Sequence, residues 1–201
     1  MNPTLFPAIY FSGLLVASVI RWHYSRDYRA LVKKEAKRPK ADTPLVYLPA
    51  LGMFVLPVVY AFSSLLSPLD YPLPVWAGCA GVIVYASAIW LLWRSHVDLG
   101  SSFSPVTGTR PEQCLVTAGV YSRVRHPMYS AHLLWGLAQP LLLWNWIAGF
   151  SMFATMLPLY LVRVGPEEQM MIDRFGDEYR EYMERTGRLF PKFSRGDERI
   201  F

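Results

Sequence analysis

Five stretches of this chain, 5–20, 45–66, 73–93, 129–143 and 147–162, contain no Lys, Arg, Asp or Glu. That blocked pattern constrains the fold more than any other feature of the sequence. A helix needs roughly 20 apolar residues to cross a ~30 Å hydrocarbon core. The second and third stretches reach that length and the first nearly does. The last two are shorter, so each would rise only about 23 Å and would rely on the tryptophans between them or on local bilayer thinning. With 53% hydrophobic and 15% aromatic residues, the chain reads as an all-α integral membrane protein with five transmembrane helices. The first stretch has no basic segment before it, and Val19-Ile20-Arg21-Trp22 offers no small-residue cleavage site, so it is expected to be a retained span.

The basic residues give an orientation. All 20 Lys and Arg residues fall within 21–40, 94–125 and 163–199. With five spans these segments share one side, which the positive-inside rule makes cytoplasmic. The expected topology is multi-pass, with the N-terminus outside and the C-terminus and any active site cytoplasmic. The net charge of +5 is then topogenic charge near membrane lipids. No aromatic-basic RNA motif or DNA-binding pattern accompanies it, so no nucleic-acid partner is expected.

Two parts are expected: residues 1–93, three N-terminal helices with a basic cytoplasmic loop, and residues 94–201, a core of loop, helical hairpin 129–162 and C-terminal helix. Residues 21–40 should lie along the membrane surface. Pro49 and Pro57 predict kinks in the second span, and residues 67–72 a tight turn. Gly78, Gly81 and nearby alanines allow close helix approach in the third span. Leu115-Val116 and Val120-Tyr121 are expected to be briefly extended. Trp144-Asn145-Trp146 marks a sharp turn. Gly165-Pro166-Glu167-Glu168 predicts a break after the fifth span, followed by a new amphipathic helix over about 167–185.

Phosphate-binding glycine loops, zinc-protease motifs and nucleophile elbows are missing from the sequence, and the four histidines have no metal-ligand spacing, so no metal is expected. Two polar clusters remain. One is Tyr121 with Arg125-His126-Pro127-Met128-Tyr129, which composition alone reads as an interfacial anchor. The other is Arg163 with Glu167 and Glu168, readable as a snorkelling cation and a helix cap.

Five motifs occur in order: His96-x-x-Leu99-Gly100, Leu115-Val116-x-x-Gly119-x-Tyr121, Arg125-His126-Pro127-x-Tyr129, Arg163-x-x-x-Glu167-Glu168 and Phe175-Gly176-x-x-Tyr179-x-x-Tyr182. Together they resemble the isoprenylcysteine carboxyl methyltransferase family, in its short, prokaryotic-type form. The resemblance implies an S-adenosylmethionine donor, S-adenosylhomocysteine as product, and a cofactor site built from the cytoplasmic loop and C-terminal helix. By position, donor contacts would be Gln113, Cys114, Leu115, Val116, Tyr121, His126, Pro127, Met128, Tyr129 and Glu167. Arg163 would be the catalytic and substrate-binding residue, facing a lipophilic small-molecule or lipidated-peptide acceptor. Gln113 departs from the family pattern, which carries His there.

The residue chemistry fits that reading. Tyr rings stabilise a sulfonium, Glu167 can pair with the donor's amino group, and Arg163 can hold a carboxylate bidentately. An ionised carboxylate acceptor needs no general base. The alternatives are N-methylation of an aminophospholipid, S-methylation of a thiol, a sterol-reductase-like NADPH oxidoreductase, and a non-enzymatic membrane adaptor.

Overall fold

The computed structural model describes residues 5–35, 44–100 and 114–192. Gln113 and residues 101–112 lie outside that set. The described regular structure is helical: α1 Leu5–Glu35, α2 Leu48–Phe62, α3 Val75–Leu99, α4 Pro127–Leu143, α5 Trp146–Phe175 and α6 Asp177–Arg185. By length and composition, three helical stretches are able to cross a membrane: Leu5–Arg26, Val75–Leu99 and Trp146–Phe175. The protein is an integral membrane protein. The helix α2 is shorter, and α4 has 17 residues, which rise only about 25 Å.

The buried positions of α3, Ala77, Gly78, Gly81, Tyr85, Ala88, Leu92, Ser95 and His96, recur at helical spacing and form one stripe. That stripe and α4 make the largest helix contact in the fold. Trp135 of α4 is buried where Tyr10 of α1 and Tyr85 of α3 stack, and it meets both edge-on. Large apolar side chains such as Leu15, Phe62, Trp76, Ile83 and Leu161 instead face outwards. That inversion is expected where lipid replaces water.

The helix α2 is irregular where its prolines predict. Pro49 and Pro57 each sit in the first turn of a short α-segment, and a π-turn over Leu51–Val55 lies between them. The π-turn frees the Gly52 carbonyl, which accepts from Gln139 Nε2 at 3.0 Å and from Ser151 Oγ at 2.7 Å. A Cβ at Gly52 would lie 2.4 Å from the Ser151 carbonyl oxygen, so only glycine allows α2 to approach α5 this closely.

The turn at 144–146 is as tight as its sequence suggests. Trp144 takes a left-handed conformation with φ 49°, and Asn145 caps α5 by accepting from the Ile147 and Ala148 amides. Its Nδ2 donates to Leu66 O and Asp70 Oδ1, both at 2.7 Å. The two turns at this end of the molecule are thereby joined.

Three expectations need correction. First, α5 does not break at 163–168; it continues through Pro166 to Phe175, 30 residues in all. Proline costs a helix one hydrogen bond and a local clash, and here the i,i+4 ion pair Arg163–Glu167 at 3.1 Å and the anchorage of Glu168 hold the turn together. The interruption comes at Gly176, whose φ 57°, ψ −127° suits only glycine. Second, no break separates residue 21 from the first span, because α1 is one 31-residue helix. Third, Val120 and Tyr121 are not extended but lie in a 3-10 turn, Gly119–Ser122.

Candidate active site

The Arg125-His126-Pro127 stretch enters α4 with Pro127 in the first turn, where its missing N–H is harmless. The C-terminal segment runs alongside it. The Arg125 and His126 amides donate to Gly187 O and Arg188 O at 2.8 and 3.0 Å, and Ser130 Oγ donates to Leu189 O at 2.7 Å. Residues some 60 apart are thus stitched into a two-stranded clasp over the start of α4.

The returning loop is fixed to the end of α3. Asp98 accepts from Arg94 at 2.5 Å and from the Val120 amide at 2.9 Å. Tyr121 is buried and donates to Ser95 O at 3.3 Å, while its own carbonyl accepts from Tyr182 of α6 at 2.6 Å. Cys114 is exposed and Leu115 and Val116 are half-buried, in an irregular run leading into the 3-10 turn.

Helix α5 supplies two adjacent carboxylates that face different ways, because successive helical residues point about 100° apart. Glu167 accepts from Tyr129 Oη at 3.0 Å and pairs with Arg163 at 3.1 Å. Tyr129 also packs edge-on against Tyr160, with ring centroids 5.3 Å apart, and lies 5.7 Å from the His126 ring. His126, Tyr129, Arg163 and Glu167 are therefore brought together, and Pro127 and Met128 lie in the same first turn of α4. Tyr121 stands apart as a buried strut between α3 and α6.

Glu168, which the sequence places in the second polar cluster with no donor or acceptor role, is the most heavily bonded carboxylate here. It is 3% exposed and accepts from Arg125 Nε at 3.1 Å, His126 Nε2 at 3.3 Å and Arg188, the last in a two-pronged contact. It lies past the apolar part of α5. Burial alone would raise its carboxyl, but the hydrogen bonds from His126 and Arg188 and the charge of Arg125 outweigh that and hold it at about 2. Burial, and next the Glu168 charge, push the Tyr179 phenol up to about 12, so it stays neutral. The usable signal for Glu168 was the Glu pair itself. Arg188 carried none, since it lies beyond the last predicted helix. Among the described residues, no group of three His, Cys, Asp or Glu side chains could hold a metal ion.

A helical membrane fold with a clasped polar cluster at one end of its α4–α5 hairpin defines the class. The sequence model of the isoprenylcysteine carboxyl methyltransferase family matches residues 80–173, which include that hairpin and both polar clusters. The match covers a little under half of this chain, and similarity to proteins named for this activity extends further along it. It is 32% identical over 121 residues to a protein-S-isoprenylcysteine O-methyltransferase of Homo sapiens, covering 58% of this chain and 43% of that one. It is 31% identical over 194 residues to the Rattus norvegicus protein of that name, covering 90% and 65%. The chain thus spans less than half the length of the human relative. Its fold matches that of a eukaryotic intramembrane Ras methyltransferase with a TM-score of 0.61, at 20% identity, over 95% of this chain and 68% of that one.

Proposed function

We propose that this chain is an integral-membrane, S-adenosylmethionine-dependent methyltransferase that esterifies the carboxylate of an isoprenylcysteine-like acceptor. One observation carries the reading. His126, Tyr129, Arg163 and Glu167 converge at the polar end of two otherwise apolar helices, the depth at which a soluble donor and a lipid acceptor can meet.

The residues fit the donor. Glu167, held by Tyr129 and Arg163, suits an ammonium group, and the Tyr129 ring suits a sulfonium. His126, Pro127, Met128 and the segment Gln113, Cys114, Leu115 and Val116 complete the proposed donor contacts, with Tyr121 bracing that loop. When bound, the donor supplies an electrophilic methyl group and leaves as S-adenosylhomocysteine. Arg163 presents a planar fork to the acceptor carboxylate and orients one oxygen for in-line attack. No general base is required, because a carboxylate is already ionised at pH 7. Alignment and the exclusion of water by the clasp and the apolar helices supply the acceleration. The acceptor's tail enters sideways from the bilayer, in a five-span topology with the site on the cytoplasmic face.

Radiolabelled methyl transfer into an S-farnesylcysteine analogue, followed by alkali, tests this. Alkali-labile label is expected. Alkali-stable label would move the reaction to nitrogen or sulfur, and binding of NADPH in place of S-adenosylmethionine would move it out of the class. Arg163→Ala should weaken use of the acceptor about tenfold or more while changing donor binding much less. Equal losses in both would remove Arg163 from the acceptor side.

A further inference from the structure

A second cation lies one helical turn deeper than Tyr129. Arg21 of α1 donates from Nη1 to His132 Nε2 of α4 at 3.1 Å. His132 Nδ1 lies 2.6 Å from Met128 O. A carbonyl only accepts, so Nδ1 carries the proton, Nε2 is the acceptor, and the ring is neutral. His132 is 7% exposed and therefore fixed. Beside it, His96 of α3 is fully buried, with Nδ1 2.7 Å from Leu92 O. Tyr24, three residues beyond Arg21, packs against the His96 ring at 5.2 Å, which sets the rotation of α1 so that Arg21 faces α4.

The carboxylates in the described ion pairs serve other cations. Asp98 serves Arg94, Glu167 serves Arg163, Glu168 serves Arg125 and Arg188, and Asp177 serves Arg180. Arg21 instead meets a neutral imidazole, although it belongs to an apolar stretch, Leu5–Arg26, long enough to span a membrane. A charge at that depth is costly unless an anion joins it. A snorkelling arginine would extend towards headgroups and water. This one is tethered to a buried side chain on a neighbouring helix. Its fork is thus held in place.

We infer that Arg21 is a specificity-determining residue that, together with Arg163, binds the carboxylate of the amphiphilic acceptor, with His132 as the positioning residue that aims its guanidinium. His132 is three residues beyond Tyr129 on α4, so the site adjoins the proposed donor contacts from the bilayer side. A carboxylate there neutralises Arg21 as Glu167 neutralises Arg163. The inference rests on the methyl-transfer reading for the identity of the acceptor.

Competitive binding of S-farnesylcysteine and its carboxamide to the full chain in detergent, with S-adenosylhomocysteine present, tests it. Wild type should prefer the carboxylate about tenfold or more. Arg21→Gln should cut the ratio several-fold and His132→Ala should lower it, both with donor affinity retained in calorimetry. An unchanged ratio in Arg21→Gln overturns the inference. Should that variant fail to bind donor, Arg21→Lys decides. It keeps charge without the fork, so a ratio cut several-fold supports the inference and an unchanged ratio overturns it. Anionic phosphatidylglycerol that protects wild type but not Arg21→Gln, with the carboxylate ratio unaltered, would assign the site to headgroups and also overturn it. Wild type that selects the carboxylate yet transfers no methyl to it would remove the methyl-transfer reading and leave the carboxylate site standing.

Discussion

Glu168 is the residue on which the site's architecture turns. It is a buried carboxylate receiving Arg125, His126 and Arg188 from two distant parts of the chain. Removing one member of such a buried ionic group costs about 3–5 kcal/mol, because the others remain desolvated without a counter-charge. Arg188 is half-exposed, so solvent offsets part of that, and Glu168→Gln should cost about 3 kcal/mol. The pH dependence follows from the depressed carboxyl. In the folded chain Glu168 titrates at about 2, against roughly 4.3 unfolded. Its contribution is therefore fully present above the unfolded value and is lost as pH falls from there towards 2. Thermal midpoints in detergent from pH 6 to pH 2.5 should fall more steeply for wild type than for Glu168→Gln, and parallel curves would mean another group dominates. The sequence gives Glu167 a donor contact and leaves its neighbour in the cluster without a role. Motif spacing marks both, but only the three-dimensional return of residues 187–189 shows that Glu168 closes the clasp.

At the scale of elements, the apolar blocks located the helices well, and the proline and Trp-Asn-Trp signals located the irregular turns. The boundary at 163–168 misled because Gly-Pro-Glu-Glu carries every local sign of a helix start: a flexible residue, proline in the first turn, then acids. Local signs do not report that Glu167 and Glu168 are both anchored to α4 and its clasp, and that anchorage keeps α5 continuous. The two arrangements respond oppositely to Pro166→Ala. At a helix start, alanine would be neutral or slightly worse. In a helix interior it restores an N–H to Val162 O and removes a ring clash, worth up to about 3 kcal/mol. We expect Pro166→Ala to raise the thermal midpoint, and an unchanged or lowered midpoint would contradict the continuous α5. The break at Gly176 was hidden because Phe175-Gly176 sits inside a continuous amphipathic pattern.

For the whole molecule, the clasp, the α3–α5 bundle and the joined turns at 66–70 and 144–146 place the polar clusters at one end and the Asn145 network at the other. In the proposed five-span topology, the positive-inside rule would assign the clustered end to the cytoplasm. Cys114 offers a direct check, since it is exposed and lies in the loop returning to the site. Cys79 is the other cysteine and sits exposed within α3, so Cys79→Ser gives a single-thiol protein. A membrane-impermeant maleimide should label Cys114 in inside-out vesicles and spare it in right-side-out ones. Prior addition of S-adenosylhomocysteine should slow labelling, because Cys114 belongs to the proposed donor loop. Labelling confined to right-side-out vesicles would invert the topology and carry the site to the outer face, away from a cytoplasmic donor. Labelling from the expected side without protection would keep the orientation and remove Cys114 from the donor contacts, leaving His126, Tyr129 and Glu167 to define that pocket.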